Sequence, residues 1–310
     1  MMPKKLLIIC GPTATGKTSL GLYLAKRFKG EIISADSRQI YKGMDVGTGK
    51  DLETIFRSKI PVYLLDVVRP DEKFNAANFH QLAWKAIGNI CQKGKLPILV
   101  GGTGFYIKTL VDGMGSLGIE PDWKLRKKLD NLGAEELIEK LGAVDSQRLA
   151  KMNQSDQKNP RRLIRAIEIG LAKKDLPLSS PLLADVLMIG LTAPKKILYK
   201  RIDERVKTRV RLGIKKEIEK LLREGYTWEN SVLGETLGYQ QWQLFFKGKI
   251  SEKEAIARWQ FAEHAYARRQ LTWFKKDKRI KWFDFAKPGF DLKVEKRVKD
   301  WYTKVDAAKS

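Results

Sequence analysis

Cysteine and histidine are nearly absent, with two of each in 310 residues. Cys10 and Cys91 form no C-x-x-C pair, so neither a disulfide framework nor a zinc site is expected. His80 and His264 are too few for a multi-histidine metal centre. Long apolar runs are missing as well. Leu6-Leu7-Ile8-Ile9-Cys10 is a run of five, whereas a membrane span needs about twenty apolar residues. It is too short for a secretion-signal core, and a glycine loop follows where a cleavage site would stand. The chain reads as cytoplasmic and soluble, with no membrane partner. Acidic residues are in deficit: 36 Asp and Glu face 60 Lys and Arg, a formal net charge of +24. That excess predicts a polyanionic partner, either nucleic acid or an acidic membrane face. It is uneven, because residues 194–310 carry 30 basic and 16 acidic groups while residues 116–193 carry 13 and 11. A hydrophobic content of 43% argues against disorder. The length suits one large α/β domain or a domain with an insertion.

Apolar, β-branched runs recur at Lys5–Cys10, Glu31–Ala35, Val62–Val68, Leu96–Val100 and Val186–Leu191. Near-continuous apolarity over so few residues suits strands buried on both faces, as in a parallel sheet covered by helices. Ser19–Phe28 and Asn75–Gln92 have helical length and periodicity between them, so the alternation predicts a doubly wound α/β sheet. From Asp122 to Lys173 no strand-like run occurs. That stretch reads as the helices Asp122–Leu132, Ala134–Leu141, Asp145–Met152 and Asn159–Lys173. Residues 115–185 are therefore expected to be an all-helical insertion, with Leu176–Pro181 as the return linker. The core is then 1–114 with 186–310. Beyond the last core strand, Pro194–Arg211 reads as a basic helix with Arg201, Arg205 and Arg209 on one face. Spacing alone leaves that ladder open between a solvated surface and an anion site. A long helix over Ser251–Lys276 and a strand near Lys281–Phe285 complete the pattern.

The strongest motif is Gly11-Pro12-Thr13-Ala14-Thr15-Gly16-Lys17-Thr18, which fits G-x-x-x-x-G-K-[ST] between a predicted strand and a predicted helix. Its glycines let backbone N–H groups cradle phosphate oxygens at a helix N-terminus. Lys17 would reach across the phosphates, and the Thr18 hydroxyl would ligate Mg²⁺. Two predicted strands end in an aspartate, Asp36 and Asp66, as a metal-shell carboxylate would require. Asp36 precedes a dense polar set, Ser37-Arg38-Gln39-Ile40-Tyr41, and suits a metal-shell carboxylate, a general base or a plain turn aspartate. Gly101-Gly102-Thr103-Gly104 also follows a predicted strand, at the sheet edge where ligands bind in open parallel sheets.

Taken together, these residues resemble the tRNA dimethylallyltransferase (tRNA isopentenyltransferase) family. The resemblance extends through Asp45-Val46-Gly47-Thr48-Gly49-Lys50, Asn159-Pro160-Arg161-Arg162-Leu163-Ile164-Arg165-Ala166-Ile167-Glu168, Leu237-Gly238-Tyr239, and Tyr266-Ala267-Arg268-Arg269-Gln270-Leu271-Thr272-Trp273-Phe274. It implies a P-loop NTPase-like parallel sheet flanked by helices. It also implies transfer of a dimethylallyl group from dimethylallyl diphosphate to the exocyclic amine of the adenine 3′-adjacent to the anticodon. In that reading Gly11–Thr18 holds a diphosphate leaving group rather than a nucleoside triphosphate, with Mg²⁺ on Thr18. Lys17, Asp36, Thr103 and Arg205 would be catalytic. Asp36, Ser37, Arg38, Gln39 and Thr103 would meet the flipped adenine. Arg126, Arg161, Arg162, Arg165, Gly238, Tyr239, Gln240, Arg268 and Arg269 would contact tRNA, the polyanion that the charge predicts.

The family's compact bacterial form is the expected one, because no zinc finger follows Lys276, and a monomer is expected. Gly49 stands where the family usually has Ala. Glu235 stands where a basic residue is frequent, and Gln240 where a charged one is. Arg161, Arg162 and Arg165 also read as an ordinary basic helix face. Trp259, Tyr266 and Trp273, seven apart, read as a core stripe. The rivals are an adenylate isopentenyltransferase acting on free AMP, ADP or ATP, a small-molecule P-loop kinase, and a non-enzymatic basic RNA-binding protein.

Overall fold

The near-continuous apolar runs become parallel strands. In the computed structural model, which describes residues 4–113, 115–172 and 184–304, these are β1 (Lys5–Cys10), β2 (Gly30–Ser34), β3 (Val62–Tyr63), β4 (Leu96–Gly101), β5 (Asp185–Thr192) and β6 (Lys281–Asp284). They form one sheet in the order β3-β2-β4-β1-β5-β6, parallel throughout. Ile8 of β1 lies opposite Leu99 and Met188, and Ile9 opposite Val100 and Ile189. The side-chain period of two then sorts the strand: Leu6, Ile8 and Cys10 enter one core cluster, Leu7 and Ile9 the other. Each such buried aliphatic contributes roughly 1.5–3 kcal/mol.

The helices are, in chain order, α1 (Lys17–Arg27), α2 (Leu52–Ser58), α3 (Ala76–Gln92), α4 (Gly104–Asp112), α5 (Trp123–Leu129), α6 (Ala134–Lys151), α7 (Gln154–Gln157), α8 (Pro160–Leu171), α9 (Lys195–Arg211), α10 (Ile214–Arg223), α11 (Gln243–Phe246), α12 (Glu252–Phe274) and α13 (Phe290–Tyr302). On one sheet face α1 and α13 bury Leu20, Leu24, Val294 and Val298. On the other, α3, α10 and α12 bury Phe79, Ile87, Ile218 and Trp259. The starts of α3 and α12 are capping boxes, Asn75 with Asn78 and Ser251 with Glu254, which satisfy the orphan first-turn amides.

The chain forms two compact units, Met1–Val111 with Leu182–Ser310, and Asp112–Pro181. The second unit is helical, α5 to α8, around Leu129, Leu137, Leu141, Leu163, Ile164 and Ile167. The expected linker at 176–181 lies outside the described residues. One expectation is corrected. The strand expected over Val62–Val68 stops at Tyr63, because Leu64 and Asp66 take positive φ (65° and 54°) and turn the chain out of the sheet. The break expected between the helices Ala134–Leu141 and Asp145–Met152 is present within α6: Asp145 leaves helical geometry (φ −155°, ψ 78°), and its carboxylate caps the Arg148 N–H at 2.9 Å. Among the described residues, no helix is long and apolar enough to cross a membrane.

Candidate active site

The phosphate-type loop follows β1 at the C-terminal edge of the sheet. Gly11 has φ 134°, and a Cβ there would lie 2.5 Å from the Leu191 carbonyl oxygen on β5. Only glycine lets the chain leave the sheet so close to its neighbour. At the far end Gly16 (φ 82°) starts α1 without a side-chain cap, so the first-turn N–H groups remain for an anion. Lys17 Nζ donates to the Pro12 carbonyl at 2.7 Å, and the Thr15 hydroxyl donates to the same oxygen at 2.9 Å. Enclosure by the loop, reinforced by the Arg205 charge and opposed by Asp36, lowers the Lys17 pKa to about 8.

Two side chains from outside the loop brace it. Buried Gln270 of α12 accepts from the Thr13 N–H at 2.9 Å and donates to the Gly102 carbonyl at 2.9 Å. One amide thereby ties the phosphate loop to the Gly101–Gly104 loop. Arg205 of α9 donates to Thr13 Oγ1 at 3.1 Å and to the Gly49 carbonyl at 2.9 Å. The arginine ladder of α9 is graded: Arg201 is exposed, Arg205 half-buried and Arg209 buried. Arg209 pairs with Glu263 at 3.1 Å and donates to the Gly47 and Thr48 carbonyls. Burial, with Arg205 adjacent, lowers its pKa to about 10 against the pull of Glu263.

The turn after β2 carries the second group. Asp36 Oδ1 accepts the N–H of Arg38 at 2.9 Å and of Gln39 at 3.4 Å, an Asx turn that orients the carboxylate. Gln39 Nε2 donates to the Gly49 carbonyl at 3.2 Å, the same oxygen that Arg205 uses. All this surrounds a cavity of about 680 Å³ whose wall includes Lys17, Thr18, Asp36, Arg38, Arg205 and Tyr266. Burial, then the Asp36 and Glu263 charges, raise the Tyr266 phenol above its ordinary value.

Several predicted site residues lie elsewhere. Thr103 is not in the cavity wall. Its hydroxyl oxygen accepts the Ser37 N–H at 3.0 Å and donates to the Ser37 hydroxyl at 3.3 Å, so it steadies the Asp36 turn from behind. Tyr239, expected at RNA, is fully buried, with its hydroxyl on Glu217 at 2.6 Å. Gly238 packs in the same core: a Cβ there would meet the Gly47 carbonyl at 2.7 Å. Gln240 and Arg269 do line the cavity, whereas Arg268 is exposed and donates to the Tyr199 hydroxyl at 2.8 Å. Asp66, the rival strand-end carboxylate, is occupied by buried Lys50, which also holds Asp45 at 2.7 Å. The stripe Trp259, Tyr266, Trp273 is core only at Trp259, because Tyr266 lines the cavity and Trp273 is exposed.

In the helical unit, Arg126 and Arg165 both grip Glu168, at 2.6 Å and 2.9 Å. Burial alone would raise the Glu168 pKa, but the hydrogen bonds from the two arginines outweigh it and hold the carboxyl below its ordinary range. These two guanidiniums are thus committed to the fold of the unit. Arg162 pairs with Asp156 and stays half in solvent, and Arg161 is exposed. Sequence reasoning gave no role to Glu168, Gln270, Glu263 or Glu217. Only the first two sit inside quoted motifs, and each acts through partners far away in sequence.

A divalent cation was expected on Thr18. Among the described residues no cluster of three or more His, Cys, Asp or Glu could hold a metal. Mg²⁺ beside a diphosphate needs only one or two protein oxygens, since phosphate and water complete its shell. A Thr18 hydroxyl in the wall beside the phosphate loop fits that donor set.

The family model described as IPP transferase matches residues 39–277. A tRNA dimethylallyltransferase of Acetivibrio thermocellus is 40% identical, over 94% of this chain and 96% of that one. Another, of Geobacillus thermodenitrificans, is 39% identical over 95% of each. The crystal structure of the full-length tRNA isopentenylpyrophosphate transferase of Bacillus halodurans superposes with a TM-score of 0.72 at 34% identity, covering 96% of both chains. With the phosphate loop, Asp36 and Arg205 gathered at one sheet edge and homology running nearly end to end, the chain belongs to the IPP transferase family of prenyl-transferring enzymes.

Proposed function

We propose that the protein transfers the dimethylallyl group of dimethylallyl diphosphate to the exocyclic amine of the adenine 3′-adjacent to the anticodon of tRNA, releasing diphosphate. The observation that carries this reading is one cavity holding both a phosphate loop, with Lys17 and Arg205 meeting at Pro12 and Thr13, and an oriented carboxylate, Asp36. The adenine nitrogen forms a bond to the allylic carbon while the carbon–oxygen bond to the diphosphate breaks, and its electron pair leaves with the diphosphate. Lys17, Arg205 and the loop amides stabilise the charge that develops there. Mg²⁺, held through Thr18, would supply further charge neutralisation on the leaving group. Asp36 accepts the proton of the attacking amine as the C–N bond forms. Its two backbone hydrogen bonds fall on Oδ1, which leaves Oδ2 for the amine.

A base stacked in an anticodon loop cannot reach a sheet edge, so the adenine must be extruded, at less cost in a single strand than in a duplex. Arg38 and Gln39 flank Asp36 and would read the extruded base, with Gln240 and Arg269 beside it in the wall. Arg161 and Arg162 would meet the anticodon stem-loop. The protein would act as a monomer in the cytoplasm. Radiolabelled dimethylallyl diphosphate with Mg²⁺ and either unmodified tRNA or AMP tests the reading. Label is expected in tRNA at that adenine. Label in AMP but not in tRNA would overturn it in favour of a free-nucleotide prenyltransferase.

A further inference from the structure

Glu217 on α10 satisfies four donors with one half-buried carboxylate. Oε2 accepts the N–H groups of Asp45 and Val46 at 2.9 and 2.7 Å. Oε1 accepts the Gly47 N–H at 2.9 Å and the Tyr239 hydroxyl at 2.6 Å. Three successive amides converging on one anion form a nest, filled here by the protein's own side chain. The fit is close: a Cβ on Gly47 would lie 2.4 Å from the Tyr239 ring. Fixing the amides on one side of this loop turns its carbonyls to the other. Gly47 and Thr48 offer theirs to Arg209 at 3.3 and 3.4 Å, and Gly49 offers its own to Arg205 at 2.9 Å. Arg205 then reaches Thr13 of the phosphate loop.

We propose that Glu217 is a positioning residue for Arg205, acting through the backbone of residues 45–49 to aim the guanidinium at the donor's diphosphate. The inference rests on the reading of Arg205 given under Proposed function. The chemistry favours a carboxylate at position 217, because an acceptor-only group takes all four donors. A glutamine would set an NH₂ against two of them, loosening the loop while α10 keeps its apolar face, Ile214, Ile218 and Leu221.

The test is a double-mutant cycle of wild type, Glu217→Gln, Arg205→Ala and the double variant. It is read as kcat with dimethylallyl diphosphate and tRNA, as affinity for inorganic pyrophosphate, and as melting temperature. Glu217→Gln is expected to lower kcat and pyrophosphate affinity about tenfold with the KM for tRNA unchanged, and to change either by less than about twofold once Arg205 is alanine. Equal factors in both backgrounds would overturn the inference, since a residue that merely stabilises the fold has no reason to couple to Arg205. Tyr239→Phe removes one of the four donors and leaves the amides in place. It should show the same coupling at smaller size if Glu217→Gln melts too low to assay. Pyrophosphate binding does not depend on transfer. A wild type that binds pyrophosphate yet prenylates no tRNA would refute the proposed function, and the Glu217–Arg205 coupling would still be decided by binding.

Discussion

Lys17 makes diphosphate affinity a function of pH. Its pKa falls from 10.5 to about 8 because the loop removes hydration from the ammonium and Arg205 adds a like charge, with Asp36 pulling the other way. The folded value lies below the unfolded one, so between pH 8 and 10.5 the unfolded chain binds more protons than the native chain. Stability contributed by this group therefore rises with pH through that window. At about 1.4 kcal/mol per unit, the charged ammonium costs the native state roughly 3 kcal/mol below it.

A bound diphosphate reverses the environment. Its negative charge beside Nζ favours the ammonium, so binding takes up a proton wherever the free enzyme has lost one. Affinity for dimethylallyl diphosphate should be flat around pH 7 and weaken towards tenfold per unit above about 8. A diphosphate ester has its last ionisation near that of a phosphate ester, about 6, which lies outside that window. Calorimetry near pH 9 in two buffers of different ionisation enthalpy should record uptake approaching one proton per site, and Lys17→Met should abolish it. The limb should appear in kcat/KM, which reports the free enzyme, and be absent from kcat. Affinity that stays flat from about pH 7 to 9.5 with no proton uptake would refute the reasoning, because Lys17 would then not be the titrating cation.

Other consequences are as direct. Gln270→Glu replaces the Nε2 donor with an oxygen facing the Gly102 carbonyl at 2.9 Å. It should cost about 1–3 kcal/mol in thermal unfolding and lower kcat/KM for the prenyl donor, and unchanged values of both would remove Gln270 as the brace. Glu168→Gln strips the charge partner of Arg126 and Arg165 from a carboxylate with 1% side-chain exposure. The expected loss is about 3–5 kcal/mol, seen as amide exchange rising through residues 122–171 while the sheet stays protected; uniform exchange would count against it. Asp36→Ala should slow transfer by about 10²-fold or more with tRNA binding near normal, and equal loss of both would make Asp36 structural.

What could be read from sequence had its cause close by. The phosphate loop, the starts of α3 and α12 at Asn75 and Ser251, and the two-faced burial of β1 each depend on residues within a few positions. What could not be read depends on partners brought from far away. The chain leaves the sheet after β3, and Asp66 is drawn to Lys50, sixteen residues earlier. Periodicity put Trp259, Tyr266 and Trp273 on one face of α12, correctly, since seven residues fall only about 20° short of two turns. Yet they span about 21 Å of axis, so the stripe passes from the core at Trp259 to the cavity wall at Tyr266 and to an exposed side chain at Trp273. The helical face was legible, and the position of the core along it was not. The motif Leu237-Gly238-Tyr239 is a tRNA contact by resemblance alone; Leu237 and Gln240 do line the cavity, but Tyr239 itself completes the Glu217 nest.

The net charge of +24 divides by the chemistry of each cation's partner. Arg126, Arg165 and Arg209 meet carboxylates of the same chain, which cancels their charge and fixes them as structure. Lys17 and Arg205 are held differently. Their partners are the Pro12 and Gly49 carbonyls and the Thr13 hydroxyl, which are neutral dipoles. A carboxylate in those places would orient the cation as well, but it would spend the charge and compete with an incoming diphosphate. Carbonyl dipoles orient a cation and leave its full charge for the anion, at a cost of lost hydration and of the neighbouring like charge, which the lowered pKa of Lys17 records. The transition state, whose leaving group gathers negative charge, then meets cations already aimed and not yet neutralised. The neutrality of the first partners of Lys17 and Arg205 therefore marks the site more sharply than the density of basic residues around it.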